Sequence, residues 1–265
     1  MSQSSVAALL NHLNGIVNSL NELAHLKDDK EVYEALHNIF YYIVTKHILT
    51  TSKYIIDPRL QGFMGEVVEF LRYVQQLHSR YMALRDVIVA EMYRFIQEKL
   101  RAEGASERVH VFVCDALSIV DALFIAYKLR PKFFGIIINP SGKTATYKFL
   151  LDPKRFLEKK ENVTLVNAVG EALNVSINVS KFDNIDRLMH ANENISFIDA
   201  STIIDRLYNV VSSFYTKVRQ LNTYNIVTII VSDHGYDIEK VLNGYRLRHG
   251  LSPNALSILA PILIV

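Results

Sequence analysis

The stretch "VHVFVCDALSIVDALFIAYKLRPKFFGIIINP", Val109 to Pro140, holds the pattern that decides the fold. "VHVFVCD" is a short apolar, β-branched run ending in an acid, "LSIVDALFIAYKL" is helix-like, and "FFGIIINP" is apolar and β-branched again. The same texture repeats outward from it. "VSINVSKFD", "ISFID", "NIVTIIVSD" and "LAPILIV" read as further strands, and "TATYKFLLDPKRFLEKK" and "ASTIIDRLYNVVSSFYTKVRQLN" as helices. Continuously apolar strands alternating with helices predict an α/β fold with a mostly parallel sheet covered by helices on both faces. Ligands of such sheets gather beyond the carboxyl ends of the strands, so polar residues there carry the most weight.

The residues before this region differ. In "EVVEFLRYVQQLHSRYMALRDVIVAEMYRFIQEKLRAEG", Val67, Phe70, Leu71, Val74, Leu77 and Tyr81 recur at three- and four-residue steps, and Gly104 supplies a stop. "TTSKYIIDPRLQG", with Pro58 and Gly62, separates this long helix from an earlier helical group. The chain therefore divides into a helical bundle or cap over residues 1–105 and an α/β domain over 106–265.

Composition narrows the function classes. The 265 residues are half hydrophobic and carry a net charge of +2, too weak to indicate nucleic acid or an anionic membrane as partner, although a nucleic acid stays open as a substrate. The single cysteine, Cys114, excludes an internal disulfide framework and fits a reducing compartment. "SSVAALLNHLNGIVNSLNEL" is broken by polar residues at helical spacing and reads as an amphipathic helix, not a signal peptide. No apolar run approaches the roughly 20 residues that span a bilayer. The expectation is a soluble, cytoplasmic protein.

Four strand ends carry candidate chemistry: Asp115; the "NPSGKT" loop with Ser141, Lys143 and Thr144; "FDNIDRLMH" with Asp183, Asp186 and His190; and "SDHG" with Asp233 and His234. "YRLRHG" adds His249. Gly-Lys-Thr after an apolar run suggests a phosphate-cradling P-loop, but the glycine required five residues before its Gly is Ile137, and Pro140 removes an N–H. The loop is better read as presenting a hydroxyl. Asp186 and His190, four apart, share one helix face. Carboxylate plus imidazole suits Zn²⁺, and also Mn²⁺ or Fe²⁺. Singly, each of these signals has a plainer reading: Asp115 as a helix cap, Lys143 as a surface lysine, Asp233–His234 as a core pair.

Their order resembles the alkaline phosphatase superfamily, and in local wording its PglZ-like branch. "VCDALSIVDAL" looks like the opening acid motif and "NPSGKTATYKFLL" is similar to the nucleophile loop. "FDNIDRLMH" resembles the middle Asp/His motif and "IVSDHGY…YRLRHGLSPNALSILAPILIV" the closing stretch. The resemblance covers roughly Val109 to Val265. It implies a phosphomonoesterase or phosphodiesterase with two divalent ions. Asp115, Asp233, His234 and the nucleophile oxygen would hold one ion; Asp186, His190 and His249 would hold the other.

In the family pattern the nucleophile lies three residues after the proline, which here is Lys143. Thr144 is the first choice if the loop carries an extra residue, with Ser141 second and Ser118 third. Lys143 would then bind a phosphate oxygen. An acid common after "HGLS" is replaced by Asn254 or Ala255. Arg246 and Arg248 could bind anionic substrate oxygens or pair with surface acids, and Asp183 and Asp237 could orient imidazoles or cap helices. The alternative function is a catalytically weak, PglZ-like scaffold in a defence or signalling assembly, with a protein partner on the helical region.

Overall fold

A computed structural model describes residues 2–77, 108–139, 142, 176–192, 199–224, 226–250 and 256–265. Its helices are α1 (Ser2–Ser19), α2 (Asp29–Thr45), α3 (Lys53–Ile56), α4 (which includes residues 61–77), α5 (Ile119–Leu129), α6 (Asn184–Asn192) and α7 (Ala200–Thr223). Its strands are β1 (Arg108–Cys114), β2 (Phe133–Ile138), β3 (Ser176–Phe182), β4 (Val227–Ser232), β5 (Asp237–Val241), β6 (Gly244–Arg248) and β7 (Leu259–Ile264). Among the described residues no helix is long and apolar enough to cross a membrane. The predicted strand "ISFID" and helix "TATYKFLLDPKRFLEKK" lie outside the described residues, except that Asp199 caps α7 by accepting from the Thr202 N–H.

The quoted stretch folds as β1–α5–β2. Ser118 caps α5 through a capping box with Asp121, and the helix is buried from Ile119 to Ala126 because both its faces are apolar. Each of its large aliphatic or aromatic side chains contributes about 1.5–3 kcal/mol by leaving water.

The main sheet has the order β2-β7-β4-β1-β3 and is mixed. β1 runs parallel to β3 and β4, whereas β7 lies antiparallel between β2 and β4. This departs from the mostly parallel sheet expected. The reason lies in the path of the chain. Beyond β4 the Gly235 N–H donates to the Ser257 carbonyl at 2.8 Å, which holds the residues just before β7 at the carboxyl end of β4, so β7 enters the sheet from that end. Apolar continuity in "LAPILIV" reports burial, not direction.

The helical segment shares one buried core with the sheet. α2 starts at Asp28, whose carboxylate accepts the Glu31 N–H at 2.8 Å, and buries Val32, Tyr33, Leu36, Ile39, Phe40 and Tyr41. Its tyrosines reach the α/β half. Tyr33 and Tyr236 both donate to Asp121 Oδ1, the latter at 2.9 Å, and Asp121 also receives the Ser118 N–H and hydroxyl. Tyr41 Oη donates to the Tyr236 carbonyl at 3.2 Å and accepts the Ile238 N–H at 2.9 Å. A buried polar knot thus joins α2, α5 and the segment after β4.

His37 stacks between Tyr41 and Tyr236 in this knot, and burial lowers its pKa to about 3. The unfolded chain takes up a proton near pH 6.5 while the folded one does not, so His37 removes stability as pH falls below that value. Between pH 7 and 4.5 the loss is about 2–3 kcal/mol. Urea unfolding across that range should show a shallower acid loss in His37→Phe than in the parent chain, and parallel curves would refute the assignment.

Candidate metal centre

Each predicted ligand stands where a strand ends. β1 runs out at Cys114 and delivers Asp115, whose N–H still donates to the Phe182 carbonyl of β3 at 2.8 Å. β4 delivers Asp233 and His234, both buried. β3 gives way to α6, on which Asp186 and His190 lie one turn apart, with His190 Nε2 3.2 Å from Asp186 Oδ1. β6 delivers His249. The six fall into two groups, Asp115–Asp233–His234 and Asp186–His190–His249, and in each the ligand atoms lie within 4.8 Å of one another. The groups adjoin. The His249 ring is centred 4.9 Å from His234 and 5.9 Å from His190.

The first group is held rigidly. The Asp233 carboxylate accepts the N–H of Ala116 at 3.2 Å and of His234 at 2.9 Å through Oδ1. Ala116 has φ +67°, a left-handed conformation costing a non-glycine residue about 1–2 kcal/mol, which these bonds and its full burial offset. His234 Nδ1 lies 2.8 Å from the Gly235 carbonyl, which can only accept, so Nδ1 carries the hydrogen. Nε2 then presents its lone pair 3.5 Å from both Asp115 Oδ1 and Asp233 Oδ2.

Three acceptor atoms thus face one another. Among the described residues no hydrogen-bond partner reaches the buried Asp115 Oδ1. Such a set needs a proton or a cation at its centre. Burial alone would lower the His234 pKa, but Asp115 and Asp233 outweigh it and raise it. Asp115 is held below the usual carboxylate range: burial opposes this, and His234 and Lys181 overcome it. Asp186 is pushed up by burial and then by the charge of Asp115. With two carboxylates and one imidazole on one side and one carboxylate and two imidazoles on the other, the donor chemistry fits a pair of divalent ions.

Two described residues at the start of the predicted hydroxyl-bearing loop, Asn139 and Gly142, lie beside these groups. Asn139 Nδ2 donates to the Asp233 carbonyl at 2.8 Å, and a Cβ on Gly142, at φ +55°, would stand 3.2 Å from the Gly250 backbone next to His249. Ser141, Lys143 and Thr144 themselves lie outside the described residues. Ser118 is occupied as the cap of α5, which also removes that role from Asp115. Arg246 and Arg248 both pair with Glu239, at 2.7 and 3.1 Å. Asp183 pairs with Arg187 at 3.0 Å, and Asp237 accepts the Leu256 N–H at 2.7 Å.

Sequence reasoning missed Lys181, whose Nζ is 3.3 Å from Asp115 Oδ2, and Asn139. Both stand at strand ends, so the rule that selected the acids could have found them. It also missed Tyr41, for which the sequence carries no signal, because the partner backbone is nearly 200 residues away. In comparisons with known proteins, no protein-family model matches the chain and no curated protein matches it in sequence.

Gly235 lets the His234 segment thread between two elements. Its N–H donates to the Ser257 carbonyl at 2.8 Å, and an added Cβ would meet the Leu256 carbonyl oxygen at 2.9 Å and Ser118 Cα at 3.2 Å. Gly235→Ala should therefore lower stability by about 1–3 kcal/mol. Gly65→Ala, on an exposed turn of α4 with nothing within 4 Å, should raise it by up to about 1 kcal/mol. Thermal melts of the two variants test the contrast directly.

Proposed function

We propose that this chain is a two-metal-dependent phosphohydrolase of the alkaline phosphatase type, PglZ-like, working in the cytoplasm on a phosphomonoester or phosphodiester. What carries this reading is the pairing of the ligands: the two triads inferred from motif order are the same two groups that adjoin at the strand ends. The finer fold belongs to the proposal too, with the mixed sheet read as that superfamily's core, helices lying on both faces.

Asp115, Asp233 and His234 would hold one ion and Asp186, His190 and His249 the other, with Zn²⁺ the first choice and Mn²⁺ or Fe²⁺ the alternatives. When bound, the ions neutralise charge on the phosphoryl oxygens and make a hydroxyl nucleophilic at neutral pH. The chain's own residues do the rest. Thr144, or Ser141 in its place, supplies the attacking hydroxyl, and Lys143 meets a phosphate oxygen. Asn139 ties the start of that loop to the backbone of Asp233, so the loop and the first triad keep one frame. The Gly235 carbonyl fixes the His234 tautomer, and the strained turn at Ala116 aims Asp115. Tyr41 makes the helical segment a positioning element, since its hydroxyl pins the backbone on both sides of Asp237. Arg246 and Arg248 reach the substrate only if it draws them from Glu239.

Elemental analysis of the purified chain should find close to two equivalents of zinc, manganese or iron, and a chromogenic phosphoester should be hydrolysed. His234→Ala and His249→Ala should each lose one equivalent, and Thr144→Ala should keep both ions while losing turnover at least 100-fold. A chain that takes up no stoichiometric metal under any loading condition would rule the reading out.

The tyrosine clamp gives a finer check. Tyr41→Phe removes one hydroxyl and no ring, and the affinity for the ion at His234 should fall about tenfold, the usual effect of losing a group that supports a ligand. Competition with a chromogenic chelator on the folded protein measures it; an unchanged affinity would confine Tyr41 to packing.

A further inference from the structure

We propose that Lys181 is a second cation, beside Lys143, that receives the substrate's phosphoryl group, and that it fits this site to the dianion of a phosphate monoester over the monoanion of a diester. The inference rests on the two-ion reading above and concerns a residue which that reading does not use.

Register places Lys181 opposite Val113, one step before β1 and β3 end. Its side chain is 51% exposed, so the ammonium sits at the rim of the site. It lies 3.3 Å from Asp115 Oδ2 and 3.8 Å from Asp183 Oδ2. Asp115 thereby divides its two oxygens. Oδ1 is buried and faces His234 and Asp233, whereas Oδ2 faces Lys181. An ion taken up by Oδ1 would share the carboxylate's charge and weaken its hold on Lys181, without requiring the lysine to leave. An ammonium carries three donors on a flexible stem, so it can keep one carboxylate and still meet an incoming oxygen. The nearby arginines are committed elsewhere: Arg246 and Arg248 to Glu239, and Arg187 to Asp183.

Charge selects the substrate. Two divalent ions and Lys143 against the carboxylates of Asp115, Asp186 and Asp233 and the ionised nucleophile leave one surplus positive charge, and Lys181 makes it two. Asp183 is balanced by Arg187. A surplus of two matches a monoester dianion. Without Lys181 the surplus is one, which matches a diester. In a partly desolvated cleft such matching governs which anion binds.

The test uses the full-length, zinc-loaded protein, with inorganic phosphate as the probe in calorimetry. Lys181→Gln should still load two equivalents of zinc but bind phosphate at least tenfold more weakly, and Lys181→Arg should stay within about threefold of the parent. With p-nitrophenyl phosphate, kcat/KM of Lys181→Gln should fall about 10- to 100-fold. With bis-p-nitrophenyl phosphate it should change by less than about threefold. Equal phosphate affinity in parent and Lys181→Gln, or equal losses on both esters, overturns the assignment and leaves the two-ion reading standing. A parent chain that loads no zinc overturns the two-ion reading and this inference together.

Discussion

At the ends of β1 and β4, Asp115 Oδ1, Asp233 Oδ2 and His234 Nε2 point at one another, and among the described residues no hydrogen bond reaches Asp115 Oδ1. Converging lone pairs repel unless something positive lies among them, so the fold must force them together. Much of the local architecture does so. The N–H groups of Ala116 and His234 hold Asp233, the Gly235 carbonyl holds the far side of the imidazole, and a left-handed alanine turns the chain just after Asp115. A left-handed alanine and closely set carboxylates and imidazole at one place mark a candidate functional position.

The helical segment takes part in that constraint. Its α2 tyrosines meet Asp121 and the backbone around Tyr236 in a fully buried knot, which fixes the segment after His234 from behind. Asp121 ties the same knot to Ser118, three residues beyond Asp115. The two triad residues of β4 and the one of β1 are thus braced from a common point. The helical region thereby contributes to the shape of the site.

Much of this was legible in the residues. Apolar, β-branched runs revealed strands β1, β2, β4 and β7, because a strand buried on both faces tolerates little else, and the mixed run "VSINVSKFD" revealed the exposed edge strand β3. The strand-end rule then gathered Asp115, Asp186, His190, Asp233, His234 and His249, which the structure brings together. Strand direction was not legible, since "LAPILIV" looks the same running either way; nor was the hairpin β5–β6, whose single buried pair, Ile238 and Leu247, stands among charged neighbours. Arg246 and Arg248 looked available because their partner Glu239 is a cross-strand neighbour, which linear spacing hides until the hairpin register is known. The bonds of Tyr41 to residues 236 and 238 depend on tertiary packing alone.

The position of β7 has a consequence for how the molecule comes into being. Residues 259–264 fill a gap between strands made long before them, and among the described residues β2 hydrogen-bonds to no other strand. Until β7 has been synthesised, β2 and one edge of β4 wait with unmet backbone groups, and the Ile258 carbonyl that accepts the Asn139 N–H comes only just before that strand. Sheet closure and the anchoring of Asn139 therefore both wait for this one segment. A nascent chain halted before β7 would carry a sticky, half-built sheet, a form for chaperones or proteases to handle.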